Sequence, residues 1–201
     1  MRIQRFLAGS SVAVFALGIG ALLLLSACSI NVKKNEEGQE KKVDIDTPLG
    51  GIHVDEEADV RDTGLEVYPG AQAKQKDSSG DNKKANVNIS GFGFGVKVVA
   101  LEYVSNDPPQ KLVTFYKNQL KKYGDVLECH TSEHSGHVGA DFGDKKGDSS
   151  LHCDSDSGSG KTIELKVGTK ENQHVVAIEP DGAGSTFALV YVRTHGKDDT
   201  I

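Results

Sequence analysis

The sequence predicts an α+β fold: a single amphipathic helix packed on a mostly antiparallel β-sheet, preceded by a short strand-rich segment and a disordered tether. Three observations predict it. One stretch, from Asp107 to Gly124, carries both start and stop signals of a helix together with an apolar stripe. The segments around it are short runs of β-branched and apolar residues that alternate with polar ones. After one long polar loop the last of these runs are joined by short turns, as antiparallel neighbours are. A lone helix laid across such a sheet buries one face of each.

The chain begins with Arg2 and Arg5, and from Phe6 to Val32 no residue is charged. An uncharged run of that length would span a bilayer. The strongly apolar part, Val12 to Leu25, is shorter and ends in small residues, the order of a signal peptide. Gly18 and Gly20 also weaken a permanent helix. The run Leu25-Ser26-Ala27-Cys28 resembles the lipobox of bacterial lipoprotein precursors. That resemblance implies cleavage before Cys28 and a diacylglycerol on its sulfur, so that the protein is anchored to a membrane through lipid. An uncleaved anchor and ordinary secretion are the alternatives. Ser29, standing where Asp would retain the protein at the inner membrane, implies by the same resemblance an outer-membrane location facing the periplasm in a Gram-negative cell.

Loss of residues 1–27 removes two arginines and no acid, which shifts the net charge from −6 to about −8. An acidic surface argues against nucleic acid and anionic headgroups as partners. The absence of Trp and the scarcity of aromatics argue against an aromatic-rich sugar groove, though five Tyr leave that alternative open. With Cys28 lipidated, Cys129 and Cys153 remain, an even pair in an oxidising compartment, and a disulfide is expected between them. It would close a loop of about 25 residues and contribute roughly 2–4 kcal/mol.

Residues 29–42 are polar, mixed in charge and without apolar periodicity; they read as a flexible tether reaching about 20 Å. Next comes an internal echo. Val43-Asp44-Ile45-Asp46-Thr47-Pro48-Leu49-Gly50-Gly51-Ile52-His53-Val54 aligns without gaps on Val87-Asn88-Ile89-Ser90-Gly91-Phe92-Gly93-Phe94-Gly95-Val96-Lys97-Val98. The ends alternate as half-buried strands do, and the glycine-rich centres permit bends or close backbone approach. These are expected to be two short hairpin-like or bent-strand elements. Between them, Tyr68-Pro69-Gly70-Ala71 is a turn signal, and Lys74–Lys84 reads as an exposed loop.

Val96–Val104 reads as a central, nearly continuous apolar strand. Asp107 is expected to cap the helix, with Pro108 at its first position and Gln110 completing a capping box. Leu112, Phe115, Tyr116, Leu120 and Tyr123 form the stripe, and Gly124 is expected to end the helix in a left-handed cap. Five strands follow: Val126–His130, Leu151–Cys153, Thr162–Val167, His174–Glu179 and Ser185–Arg193. In Thr162–Val167, Ile163, Leu165 and Val167 are expected inward. The succession of Tyr-Pro-Gly-Ala turn, strand, Phe115-Tyr116 helix, Tyr123-Gly124 and strands resembles a group of uncharacterised bacterial envelope proteins over residues 65–195. The resemblance implies fold elements and no reaction.

Four of the seven histidines lie between the two later cysteines. If Cys129 and Cys153 pair directly across antiparallel strands, His130 faces His152 and Glu128 faces Asp154, all on the side opposite the disulfide. Two imidazoles and two carboxylates would bind a divalent metal such as zinc. The bland reading is a solvent-facing hairpin stapled by a disulfide. Ser157-Gly158-Ser159-Gly160-Lys161-Thr162 lacks both the first glycine of a phosphate loop and the helix that must follow it. Asp154-Ser155-Asp156-Ser157-Gly158 lacks the third acid of a calcium loop. There is no G-x-S-x-G elbow. Phe92 and Phe94 share one face of an extended strand; they either dock on the helix as core or mark an exposed patch that binds a partner.

The expected organisation is a signal peptide (1–27), a lipidated tether (28–42), a strand-rich segment (43–64), an α+β domain (65–196) and a tail (197–201). The leading functional expectation is a lipid-anchored envelope protein acting as a non-enzymatic binding or structural module on an envelope protein or cell-wall partner. The alternatives are a metal-binding lipoprotein and an envelope hydrolase.

Overall fold

The computed structural model describes residues 28–34, 40–55, 58–74, 84–91, 94–131, 149–153 and 160–195. The strands are β1 (Ser29–Lys34), β2 (Glu40–Thr47), β3 (Gly50–Asp55), β4 (Gln72–Ala73), β5 (Lys84–Gly91), β6 (Phe94–Ser105), β7 (Leu127–Thr131), β8 (Thr162–Thr169), β9 (Asn172–Asp181) and β10 (Gly184–His195). Among the described residues there is one α-helix, α1, spanning Pro109–Leu120. Every described pairing is antiparallel, in the order β1-β2-β3-β5-β6-β10-β9-β8-β7, with β4 added beside β6. Among the described residues the expected α+β class, with a single α-helix on an antiparallel sheet, is therefore present.

β6 is central, as its apolar run predicts, and couples two dissimilar halves of the sheet. In the C-terminal half, Leu112, Tyr116 and Leu120 of α1 are fully buried against Val99, Leu101, Leu165, Val176, Ile178, Phe187 and Leu189. Tyr103, Phe187, Tyr116, Phe115 and Tyr68 make successive ring contacts between 5.0 and 5.6 Å. The Tyr68–Ala71 turn closes with an Ala71 N–H to Tyr68 carbonyl bond, and Gly70 takes the positive φ it requires.

The helix ends differ from expectation. Pro108, not Asp107, occupies the N-cap, with no side-chain cap bond. The Asp107 carboxylate is instead engaged by Lys111 Nζ at 2.6 Å and the Tyr68 hydroxyl at 2.8 Å. α1 tightens into a 3-10 turn over Lys121–Tyr123, and Gly124 ends it at φ 137° and ψ −160°, outside the left-handed helical geometry expected.

The other face of this half is also covered. Val175, Ala177, Ala188, Val190 and Val192 form a second cluster. Ser149 accepts a bond from Lys170 N–H at the β8–β9 turn, and Cys153 is joined to Cys129 on β7, so residues 149–153 run between these points. Ile163, Leu165 and Val167 face α1 as expected, but Glu164 and Lys166 on the opposite side are buried too. They form an ion pair at 2.9 Å with side chains only 4% and 2% exposed.

Leu151–Cys153 is not a strand. β7 pairs with β8, placing Cys129 opposite Glu164 and His130 opposite Ile163. The buried run of β8 offers β7 a longer ladder than a three-residue segment does. The disulfide forms without direct strand pairing, at a Cα separation of 5.5 Å.

In the N-terminal half both echo segments are hairpins of matching register: Val43 opposes Val54 and Ile45 opposes Ile52 in the first; Val87 opposes Val98 and Ile89 opposes Val96 in the second. β3 joins them by pairing with β5. A Cβ on Gly50 would overlap the Ser90 carbonyl, which explains glycine at this crossing. Part of the expected tether is ordered: residues 29–34 are β1 and 40–42 begin β2, because Ile30 and Val32 alternate in step with Ile45 and Val43. Residues 43–55 thus belong to the same sheet as the helix-bearing half.

Candidate binding surfaces

Strand alternation sorts the N-terminal ribbon into two chemically opposite faces. On one side the register lines up Ile30, Ile45, Ile52, Ile89 and Val96, and beside them Val32, Val43, Val54, Val87 and Val98. On the other side lie Asp44, His53, Asn88 and Lys97. His53 sits 3.0 Å from Asp44 and 3.6 Å from Asp46.

The apolar side continues the second cluster of the C-terminal half, through Val98 opposite Val192. It loses its cover toward the hairpin turns: Ile30 is 69% exposed, Leu49 62% and Phe94 51%, with Ile52 and Ile89 also exposed. A groove of about 360 Å³ lies there, bounded by Ile45, Leu49, Ile52 and Ile89 and floored by Gly50 and Gly91. Phe94 therefore belongs to an exposed apolar patch and not to the core beneath α1; Phe92 lies outside the described residues.

Cys28 is exposed, is not disulfide-bonded, and directly precedes β1. The pairing of Ser29 with Asp46 sets position 28 level with Thr47, at the same end of the sheet as Leu49 and Phe94. Thr47, Gly50, Gly91 and Phe94 are successive cross-strand partners, so this end forms one transverse row. Among the described residues no helix is long and apolar enough to cross a membrane; residues 1–27 lie outside them.

The expected metal constellation is not assembled by strand register. His130 is exposed and lies 3.1 Å from Glu128, and Glu128 also pairs with Lys117 from α1. The Lys117 bond first, with smaller help from His130, holds the Glu128 carboxyl below its usual range against partial burial. His152 is exposed in the segment that carries Cys153, while Asp154 lies outside the described residues. Among the described residues no group of three or more His, Cys, Asp or Glu is placed to hold a metal ion. The phosphate-loop and calcium-loop look-alikes fall largely on residues 154–159, also outside them.

A second groove, of about 610 Å³, opens on the helix side between Tyr68, Pro69, Gln110, Lys111, Thr114 and Phe115. Partial burial and the bond to Asp107 push the Tyr68 hydroxyl up, while Lys111 and Tyr68 hold Asp107 down. Sequence reading missed this groove, the Glu164–Lys166 pair and buried His174. His174 stacks on Tyr123 at 3.8 Å and donates from Nδ1 to the Thr63 carbonyl at 2.9 Å. Alternation marked residues 164 and 166 as outward, and nothing local signals that this side of β8 is buried as well.

The chain matches no protein family, curated protein or solved structure with which it was compared.

Proposed function

We propose that this chain is a lipid-anchored protein of the cell envelope that works by binding, through the apolar face of its hairpin ribbon. One observation carries the reading. A contiguous set of exposed apolar side chains, Ile30, Leu49, Ile52, Ile89 and Phe94, surrounds the end of the sheet where Cys28 enters. Exposed apolar clusters of this kind mark sites of association with proteins or membranes. The lipobox-like run ending at Cys28 supplies the anchor and, with Ser29, an outer-membrane address in a Gram-negative cell.

Two measurements test this. Intact mass of the chain extracted from bacterial membranes should show cleavage before Cys28 and a diacylglycerol adduct, both absent in Cys28→Ser. A full-length unmodified chain would refute the anchor. Phe94→Asp should leave the melting temperature within about 2 °C of the parent, as exposed substitutions do. Loss of the cooperative transition would place Phe94 in the core and refute the binding face.

A further inference from the structure

The exposed apolar end of the ribbon lies where the chain meets the membrane. Cys28 is one residue from β1, and the uncharged stretch from Phe6 to Val32 leads directly into that strand. Lipid on Cys28 and an uncleaved apolar anchor both put the bilayer within two residues of Ile30. A long flexible tether would have let the sheet turn any side to the membrane. β1 removes that freedom, because Ser29 is already paired with Asp46.

Alternation then fixes which side is presented. Residues 28, 30 and 32 follow one another along one face of an extended chain, the face that carries Ile52, Ile89 and Phe94. Cys28 and Phe94 are separated by four strand spacings, about 19 Å, in the same transverse row. The anchor at one corner and Phe94 at the other, with Leu49 in the turn between them, define a plane.

We infer that this end of the apolar face docks on the lipid bilayer itself, so that the protein lies against the membrane at a fixed orientation. The inference rests on the anchored-module reading and names the occupant of its binding face. Docking here is apolar, since the charged and polar Asp44, His53, Asn88 and Lys97 occupy the opposite side of the ribbon. Leu49 and Phe94 enter the acyl–headgroup boundary to the roughly 5–10 Å depth of interfacial elements.

The chain has no Trp, so a single Trp is a clean reporter. Full-length chain carrying Phe94→Trp is purified from membranes, its Cys28 modification is read by intact mass, and it is reconstituted into phosphatidylcholine vesicles with and without brominated acyl chains. Leu49→Trp supplies the same readout should the first variant fail to fold. Asn118→Trp, exposed on α1 and so on the opposite side of the sheet, is the control. The expected result is a blue-shifted emission from the Phe94→Trp chain, quenched several-fold more by brominated lipid than emission from the Asn118→Trp chain.

Vesicle-bound Phe94→Trp chain that emits as in water overturns the docking and leaves the anchor standing. Blue-shifted emission that brominated lipid does not quench also overturns it, because the face is then covered by protein, such as a second copy. Chain with unmodified Cys28 that floats free of vesicles overturns the anchored-module reading, and this inference with it.

Discussion

Removing the disulfide gives the sharpest quantitative test of how the C-terminal half is held together. Cys129 and Cys153 are separated by 24 positions. Opening a loop of that length returns about 12 cal/mol/K of entropy to the unfolded chain, or about 3.5 kcal/mol at 25 °C. In a domain of this size each kcal/mol moves the melting temperature by roughly 2–4 °C, so Cys129→Ala with Cys153→Ala should lower it by about 7–14 °C. The urea m value should rise as well, because an uncrosslinked chain exposes more surface when it unfolds. Cys129 is buried, so alanine also loses a little packing. Reducing the native chain with a thiol isolates the crosslink alone, and the two shifts should agree within about 1 kcal/mol. The assay is thermal and urea unfolding followed by circular dichroism. A fall of less than about 2 °C would refute the reasoning, since the crosslink would then not restrict the unfolded state.

Three further outcomes follow from buried polar groups. Lys166→Met should cost roughly 3–5 kcal/mol in urea unfolding by stranding Glu164, and adding Glu164→Leu should restore most of it; a single-variant cost below about 1 kcal/mol would mean the pair is solvated. Tyr116→Phe should cost about 1–2 kcal/mol, because the buried Tyr116 hydroxyl accepts the Tyr68 N–H at 3.0 Å; an unchanged urea midpoint would refute that role. Burial, reinforced by Lys122 and opposed by the Thr63 bond, holds His174 below its usual 6.5. The unfolded chain therefore takes up this proton first on acidification, so the stability it contributes is intact above about pH 6.5 and lost as pH falls toward the folded value. His174→Gln should flatten that part of the stability–pH profile, and an unaltered slope would contradict it. Asp107 and Glu128 are held below their usual values, so their contributions are lost only at lower pH, below about 4.5.

What the sequence reveals here depends on whether a signal is local. The two echo segments are legible as hairpins because V-x-I alternation and glycine-rich turns lie within a dozen residues of each other, and their registers match in the structure. The helix and its Leu112–Tyr116–Leu120 stripe are legible for the same reason. β1 was hidden because its two apolar residues are followed by a Lys-Lys, Glu-Glu stretch typical of tethers. The partner of β7 was not legible: numbering symmetry between Cys129 and Cys153 suggests one ladder, while burial of the β8 run selects another. The Phe94 question turned on which side of the ribbon lacks cover, a property of packing that no Gly-Phe repeat encodes. Cys28 needed only its own neighbours to be noticed, but its place at the apolar end of a sheet required the pairing of Ser29 with Asp46.

The position of β10 has a consequence for how this protein is made. β10 is the last described strand of the chain, yet it pairs with β6 along the middle of the sheet and brings Phe187 and Leu189 to α1. The N-terminal hairpins close over short stretches of chain and can form as soon as they emerge. The helix side must wait for a long-range pairing, the slow kind of folding event. A chain interrupted after β9 would possess finished hairpins and an α1 facing water. Assembly therefore proceeds from the N-terminal hairpins outward, and the last described strand decides whether the product is a folded protein or a substrate for proteolysis.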